Sequence, residues 1–268
     1  MAIGLVDSGV GGLTVLREVR KVCPKTDIHY LADTARFPYG TKTMEQVESY
    51  LLEGLDFLAT LGVEAAVVAC NTATAAGLEA ARRRYSFPVL GVIEAGARPA
   101  VEATRCGRIG VVATTATVTS GAYAKAIKGH LETAIILHRS GQELVGAVEE
   151  GRTERSQVAK MVLDLLSPLV AAGVDVVVLG STHLAVGKDV FREFLGPEVT
   201  VVDPAEETAT EVAGLGWGTG GSGKVLIFVT GDPGAFRHTA SAVYPGNLPF
   251  VEKVSLSKGC GAVGENNS

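Results

Sequence analysis

Cys70 heads the string Cys70-Asn71-Thr72 and directly follows the apolar run Ala65-Ala66-Val67-Val68-Ala69. A second string, Gly180-Ser181-Thr182-His183, follows Val176-Val177-Val178-Leu179 in the same manner. Both apolar runs read as buried strands, and in an open parallel sheet ligands bind beyond the carboxyl ends of strands. The first string offers a thiol, the second only a hydroxyl. A free thiol, with a pKa of about 8.5, is close enough to neutrality to act as a base. The start of a helix favours the thiolate, whereas a nearby Asp7 carboxylate would oppose it. Asn71 and Thr72 supply amide and hydroxyl donors for a carboxylate. His183 reads either as a structural hydrogen-bond partner or as a functional group. A Ser/His hydrolase is excluded, because the nucleophile-elbow spacing Gly-x-Ser-x-Gly is missing around Ser181.

Three other turns carry polar groups. Asp7-Ser8-Gly9-Val10-Gly11-Gly12 ends the first strand, and its glycines with the following helix start suit a phosphate or a carboxylate. The alternative is a tight turn capped by Asp7. The spacing matches neither a dinucleotide fingerprint nor a Walker loop. Asp33-Thr34-Ala35-Arg36-Phe37-Pro38-Tyr39-Gly40 is a loop in which Tyr39 reads equally as a structural or a cleft residue. Thr114, Thr115, Thr117 and Ser120 cluster after another strand, as ligand contacts or as helix caps.

The elements that must position these groups alternate regularly. Strands are expected at 3–7, 28–32, 66–69, 89–93, 109–113, 134–137, 176–179, 200–202, 225–229 and 251–254. Helices are expected at 13–22, 44–61, 73–85, 95–103, 120–129, 143–150, 154–172, 188–195, 204–215 and 233–242. Such alternation means parallel sheets covered by helices, an α/β fold. The stretch 214–223 reads as a glycine-rich surface loop. A weak repeat runs through the chain. Ile3-Gly4-Leu5-Val6 recurs as Ile109-Gly110-Val111-Val112, and 66–72 is echoed by 177–183. Two similar α/β domains facing across a cleft account for it.

Composition narrows the setting. The chain has 268 residues, is 47% hydrophobic and carries a net charge of −5, enough apolar material for a full core. No basic run tracks nucleic acid, since Arg82-Arg83-Arg84, Arg105 and Arg108 are scattered. No signal peptide is expected, and no apolar stretch reaches the about 18 residues of a membrane helix, so the cytoplasm is the expected location. Cys23, Cys106 and Cys260 lack zinc-site spacing and read as small buried or surface residues.

Taken together, these motifs resemble the glutamate racemases of the aspartate/glutamate racemase superfamily, over nearly the whole chain. The resemblance rests on 7–15, on Asp33-Thr34-Ala35-Arg36 with Pro38-Tyr39-Gly40, and on Ala69-Cys70-Asn71-Thr72-Ala73. It extends to Gly91-Val92-Ile93, to Thr114 with Thr117 and Ser120, and to Val148-Glu149 before Gly151. It implies two pseudo-symmetric α/β domains, 1–96 with 208–268 and 97–207, and an active site in the cleft between them. It implies a cofactor-independent, metal-free isomerase in which two cysteines on opposite faces of the substrate exchange the α-proton of glutamate. The product, D-glutamate, would serve peptidoglycan and the cell wall. The expected partners are the small-molecule substrate and a second copy of the chain as a homodimer, with neither nucleic acid nor membrane.

By motif, Cys70 matches the first cysteine, Asp7 and Glu149 match acidic residues near the thiols, and His183 matches the histidine beside the second thiol. The catalytic set is thus Cys70, Ser181, Asp7, Glu149 and His183. Substrate contacts are expected from Asp7, Ser8, Pro38, Tyr39, Gly40, Cys70, Asn71, Thr72, Thr114, Thr117, Ser181, Thr182 and His183. One departure bears on the chemistry. Where the family pattern reads Gly-Cys-Thr-His, this chain has Ser181. Leu184-Ala185 replaces a usual Tyr-Pro, and Gly141-Gln142 and Gly146-Ala147 replace Cys-Pro and Pro-Leu. A hydroxyl is a far weaker acid than a thiol, so two-base racemisation is expected to be impaired. Two alternatives stay open: a decarboxylase or isomerase that works with Cys70 alone, and a non-catalytic amino-acid-binding relative.

Overall fold

A computed structural model of the chain describes residues 2–152, 154–216, 221–244 and 246–256. The first part of the chain runs β1 (Ala2–Asp7), α1 (Leu13–Val22), β2 (Asp27–Ala32), α2 (Met44–Thr60), β3 (Ala65–Val68), α3 (Asn71–Arg84), β4 (Val89–Gly91) and α4 (Val92–Ala103). It continues through β5 (Arg108–Ala113), α5 (Thr115–Ser120), α6 (Ala122–His130), β6 (Ile135–Ser140), α7 (Gln142–Glu149), α8 (Arg155–Ala171) and β7 (Val176–Gly180). The remainder is α9 (Lys188–Leu195), β8 (Thr200–Val202), α10 (Pro204–Gly214), β9 (Val225–Val229), α11 (Pro233–Val243) and β10 (Val251–Lys253).

Two parallel sheets result, of order β10-β9-β2-β1-β3-β4 and β6-β5-β7-β8. The second sheet repeats the 2-1-3-4 order of the first four strands, which is the structural form of the sequence repeat. The repeated segment around Gly4 pairs in register with β2 and β3, and that around Gly110 pairs with β6 and β7. Each central strand also has a glycine under a buried helix leucine, Gly4 beneath Leu58 of α2 and Gly110 beneath Leu169 of α8. In each sheet the order reverses around the central strand, so crevices open beyond β1 and β3 and beyond β5 and β7.

Local signals explain the helices. Thr43 and Gln46 form a reciprocal capping box at the start of α2, and Val47, Leu51, Leu55 and Leu58 form its buried stripe. Val158, Val162, Leu166 and Leu169 do the same in α8. One apolar cluster joins Leu16 and Val19 of α1, Val148 of α7, Leu184 and Val212 of α10, so the two sheets share a core.

The expected strand at 89–93 ends instead at Gly91, and Val92 and Ile93 open α4, which begins earlier than expected. Short apolar runs do not distinguish a strand end from a buried helix start. The Thr-rich α5 and the 3-10 turns Thr34–Arg36, Tyr39–Thr41 and Thr182–Gly187 were not apparent from periodicity, being short and polar or irregular. The breaks at 96/97 and 207/208 fall inside α4 and α10. Of the loop at 214–223, residues 217–220 lie outside the described residues, as does Cys260. Among the described residues, no helix is long and apolar enough to cross a membrane.

Leu58 is fully buried over β1. Leu58→Ala is expected to cost about 2–5 kcal/mol of stability, read as a lowered urea midpoint with unchanged slope.

Candidate active site

The carboxyl ends of four strands converge on one cavity. β1 delivers Ser8, β3 delivers Cys70, β5 delivers Thr114 and β7 delivers Ser181. The cavity is tight: about 10 Å³ is free inside it, on the order of one water molecule, so its walls close on one another in the unliganded protein. A larger groove of about 520 Å³ lies over Leu144, Met161 and Leu165, but neither a cysteine nor a histidine lines it. Chemistry, not volume, singles out the smaller cavity.

Cys70 is the N-cap of α3. Its Sγ accepts from the Ala73 amide at 3.4 Å and lies 3.8 Å from Ser8 Oγ. The expected lowering of its pKa is overturned. Burial and the Asp7 charge push the thiol up to about 12, outweighing the helix-start amides of Ala73 and Thr72 and the Ser8 hydroxyl. Cys70 is only 6% exposed, so the unliganded protein holds it as a thiol.

Behind the cavity lies a buried acid–base cluster. His183 Nε2 donates to Glu149 Oε2 at 2.7 Å, and Phe37 packs on the imidazole. Burial disfavours the imidazolium, but the Glu149 hydrogen bond and the Glu149 and Asp7 charges win, so the His183 pKa rises. Asp7 is 1% exposed, and its pKa is raised by burial against the opposing charge of His183 and the Gly9 amide. Thr182 Oγ1 donates to Asp7 Oδ2 at 3.5 Å, which links the two sheets.

The glycine loop 7–12 serves this cluster and is not the anion cradle its sequence suggests. Its amides are taken by the protein's own carboxylates: Gly9 N–H donates to Asp7 Oδ1 at 2.9 Å and Val10 N–H to Glu149 Oε2 at 3.4 Å. A Cβ at Gly9 would lie 2.5 Å from Glu149 Oε1, and one at Gly11 would lie 2.6 Å from His183 Nδ1. The N-cap of α1 is Gly12, without a side-chain cap, so Asp7 does not cap that helix.

On the opposite wall, Thr72, Thr114 and Thr117 form a hydroxyl triangle with sides of 2.9, 3.1 and 2.9 Å. Thr114 also caps α5 through the Thr117 amide, so the cap and cleft readings both hold for it. Thr115 turns outward to Ser140, and Ser120 bonds the Thr117 carbonyl. Tyr39 lines the cavity with its ring and donates its hydroxyl to Asp33, which also receives Arg36 Nε at 2.6 Å and Thr230 Oγ1 at 2.8 Å. That network fixes the turn carrying Pro38 and Gly40.

The structure therefore brings Ser8, Pro38, Tyr39, Gly40, Cys70, Asn71, Thr72, Thr114, Ser181, Thr182 and His183 onto one cavity. Asp7, Thr117 and Glu149 stand behind that lining. Phe37 and Val145 complete the wall and were missed in sequence. Val145 lies one turn before Glu149 on α7, a spacing that puts both on one helix face.

The sequence profile of the Asp/Glu/hydantoin racemase family matches residues 3–212. The chain belongs to this family. It is 45% identical over 261 residues to a glutamate racemase from Geobacter metallireducens, covering 95% of this chain and 97% of that one. Its structure is similar to that of a glutamate racemase isoform from Bacillus anthracis, with a TM-score of 0.90 and 36% identity over 95% of this chain and 97% of that one. It is also similar to the glutamate racemase of Francisella tularensis solved with D-glutamate, with a TM-score of 0.88 and 28% identity over 95% and 97% of the two chains. As a member of this family, the protein is an amino-acid racemase by class, an isomerase.

With Cys70 protonated and buried and Cys106 exposed, iodoacetamide at pH 8 is expected, among the described cysteines, to label Cys106 first. Peptide mass spectrometry should find Cys70 and Cys23 lagging well behind it. Cys70 labelling ahead of Cys106 would contradict the raised thiol.

Proposed function

We propose that this racemase acts on glutamate and moves the α-proton through Cys70 on one face, with Ser181 standing in place of the second acid–base. The observation that carries this reading is the position of the two residues. Cys70 and Ser181 follow β3 and β7, equivalent strands of the two sheets, and line the same cavity. The glutamate specificity is supported by the relatives' names and by the cavity's many hydroxyl and amide donors.

In this mechanism Asn71, Thr72 and Thr114 hold carboxylate oxygens, and the turn at Pro38, Tyr39 and Gly40 closes the far end. The substrate ammonium, placed near Ser8 and Asp7, offsets the Asp7 charge that disfavours the Cys70 thiolate. Cys70 then takes the α-proton from one enantiomer. Inversion requires a proton from the opposite face, where the Ser181 hydroxyl is a poor donor and its conjugate oxyanion a scarce base. His183, beside Ser181 and held by Glu149, orients that wall. Family resemblance supports the rest of the proposal: a cytoplasmic homodimer, organised as 1–96 with 208–268 and 97–207, supplying D-glutamate for peptidoglycan. Cys70, the one thiol that lines the cavity among the described residues, favours as a second reading a one-base relative, a decarboxylase or isomerase that works with Cys70 alone.

The decisive experiment incubates each glutamate enantiomer in deuterated water and follows α-proton exchange together with chirality. Exchange of one enantiomer is expected to outpace inversion. Ser181→Cys should raise inversion by about 10²–10⁴, the usual contribution of a general acid or base, with binding nearly unchanged. Native inversion that keeps pace with exchange, together with no gain from Ser181→Cys, would overturn the reading.

A further inference from the structure

Tyr123 is buried at the start of α6, is 1% exposed and does not line the cavity. Its hydroxyl donates to Asn71 Oδ1 at 2.7 Å. Asn71 opens α3 beside the first sheet, so this bond reaches from the helices of one sheet to those of the other. Room for the ring is made by two glycines. A Cβ at Gly180 would lie 2.9 Å from Tyr123 Cε2, and one at Gly96 would lie 3.0 Å from the phenol oxygen.

The bond decides which end of the Asn71 carboxamide meets a ligand. A carboxamide has one acceptor end and one donor end. With Oδ1 engaged by the phenol, Nδ2 is the end left for the cavity. Turning the amide over would leave the phenol O–H buried without an acceptor, which is costly. Burial, with the Asp203 charge, holds the phenol protonated, so it donates throughout the neutral range.

We propose that Tyr123 is a positioning residue that fixes the Asn71 N–H₂ toward the cavity, so that this wall accepts a substrate carboxylate and discriminates against the corresponding carboxamide. The proposal rests on the glutamate reading above and adds to it the origin of acid-over-amide selectivity at one end of the substrate.

Calorimetry with glutamate, glutamine and isoglutamine on the native chain and on Tyr123→Phe tests it. The native chain should prefer glutamate over at least one of the two amides. Tyr123→Phe should reduce that preference by about tenfold, the scale of one hydrogen bond, while the other amide tracks glutamate. A purely structural role for Tyr123 would weaken all three ligands in parallel, and that result, or an unchanged ratio, overturns the proposal. Asn71→Asp provides an independent check, since it keeps an acceptor for Tyr123 but presents a carboxylate oxygen to the cavity. It should lose glutamate by at least about 100-fold and lose the matching amide less, whereas unchanged glutamate affinity overturns the proposal. A native chain that binds neither glutamate enantiomer overturns the functional reading and this proposal with it. Native binding with unaltered ratios overturns only the proposal.

Discussion

Two carboxylates and an imidazole, buried Asp7 and His183 with half-buried Glu149, gather where the carboxyl ends of the two sheets meet, and the surrounding structure is shaped by the need to satisfy them. Buried charge is tolerated only when paired and hydrogen-bonded. Here the His183–Glu149 bond, the Gly9 and Val10 amides and the Thr182 hydroxyl provide the partners. Glycine at 9 and 11 is required because a side chain on either would strike the cluster. The polar cluster thereby also ties the loop after β1 to the segments after α7 and β7, and so one sheet to the other.

This arrangement sets the state of the nucleophile. Burial and the Asp7 charge together raise Cys70 to about 12 against the lowering effect of the helix-start amides. A resting thiol is therefore a property of the closed cavity, and activation has to come with the ligand. In the proposed mechanism a cationic ammonium beside Asp7 supplies the missing charge, which would couple proton transfer to binding of an amino acid.

The matched strand orders make the residue at 181 informative. β3 and β7 occupy the same place in their sheets, each beside a central strand that bears a glycine beneath a leucine. The backbone thus places a side chain on either side of one small cavity with approximate symmetry, while the chemistry differs: a thiol on one side, a hydroxyl on the other. The symmetry belongs to the fold, and the asymmetry to a single pair of side chains.

The sequence by itself determined the alternation of elements, the α/β class and the strand-end placement of Cys70, Thr114 and Ser181, because apolar runs and turn residues act locally. Its repeat foretold two matching sheets, and its motifs foretold the family. Other features depend on segments far apart in the chain and were decided only by the tertiary structure. Val92 and Ile93 joined a helix because burial suits either conformation, and packing chose between them. The glycine loop reads in sequence as an anion site or a tight turn, and only the fold brings Glu149, 139 residues from Val10, onto the Val10 amide. A helix start predicted a lowered thiol pKa opposed by Asp7, and which effect wins was fixed only by the fold, where burial and the approach of Asp7 reversed the sign. Tyr123 carried no signal in its neighbours, since its role arises only where α6 meets the start of α3. Periodicity encodes which residues face inward, whereas the partners they find there are fixed by the three-dimensional closure of the chain.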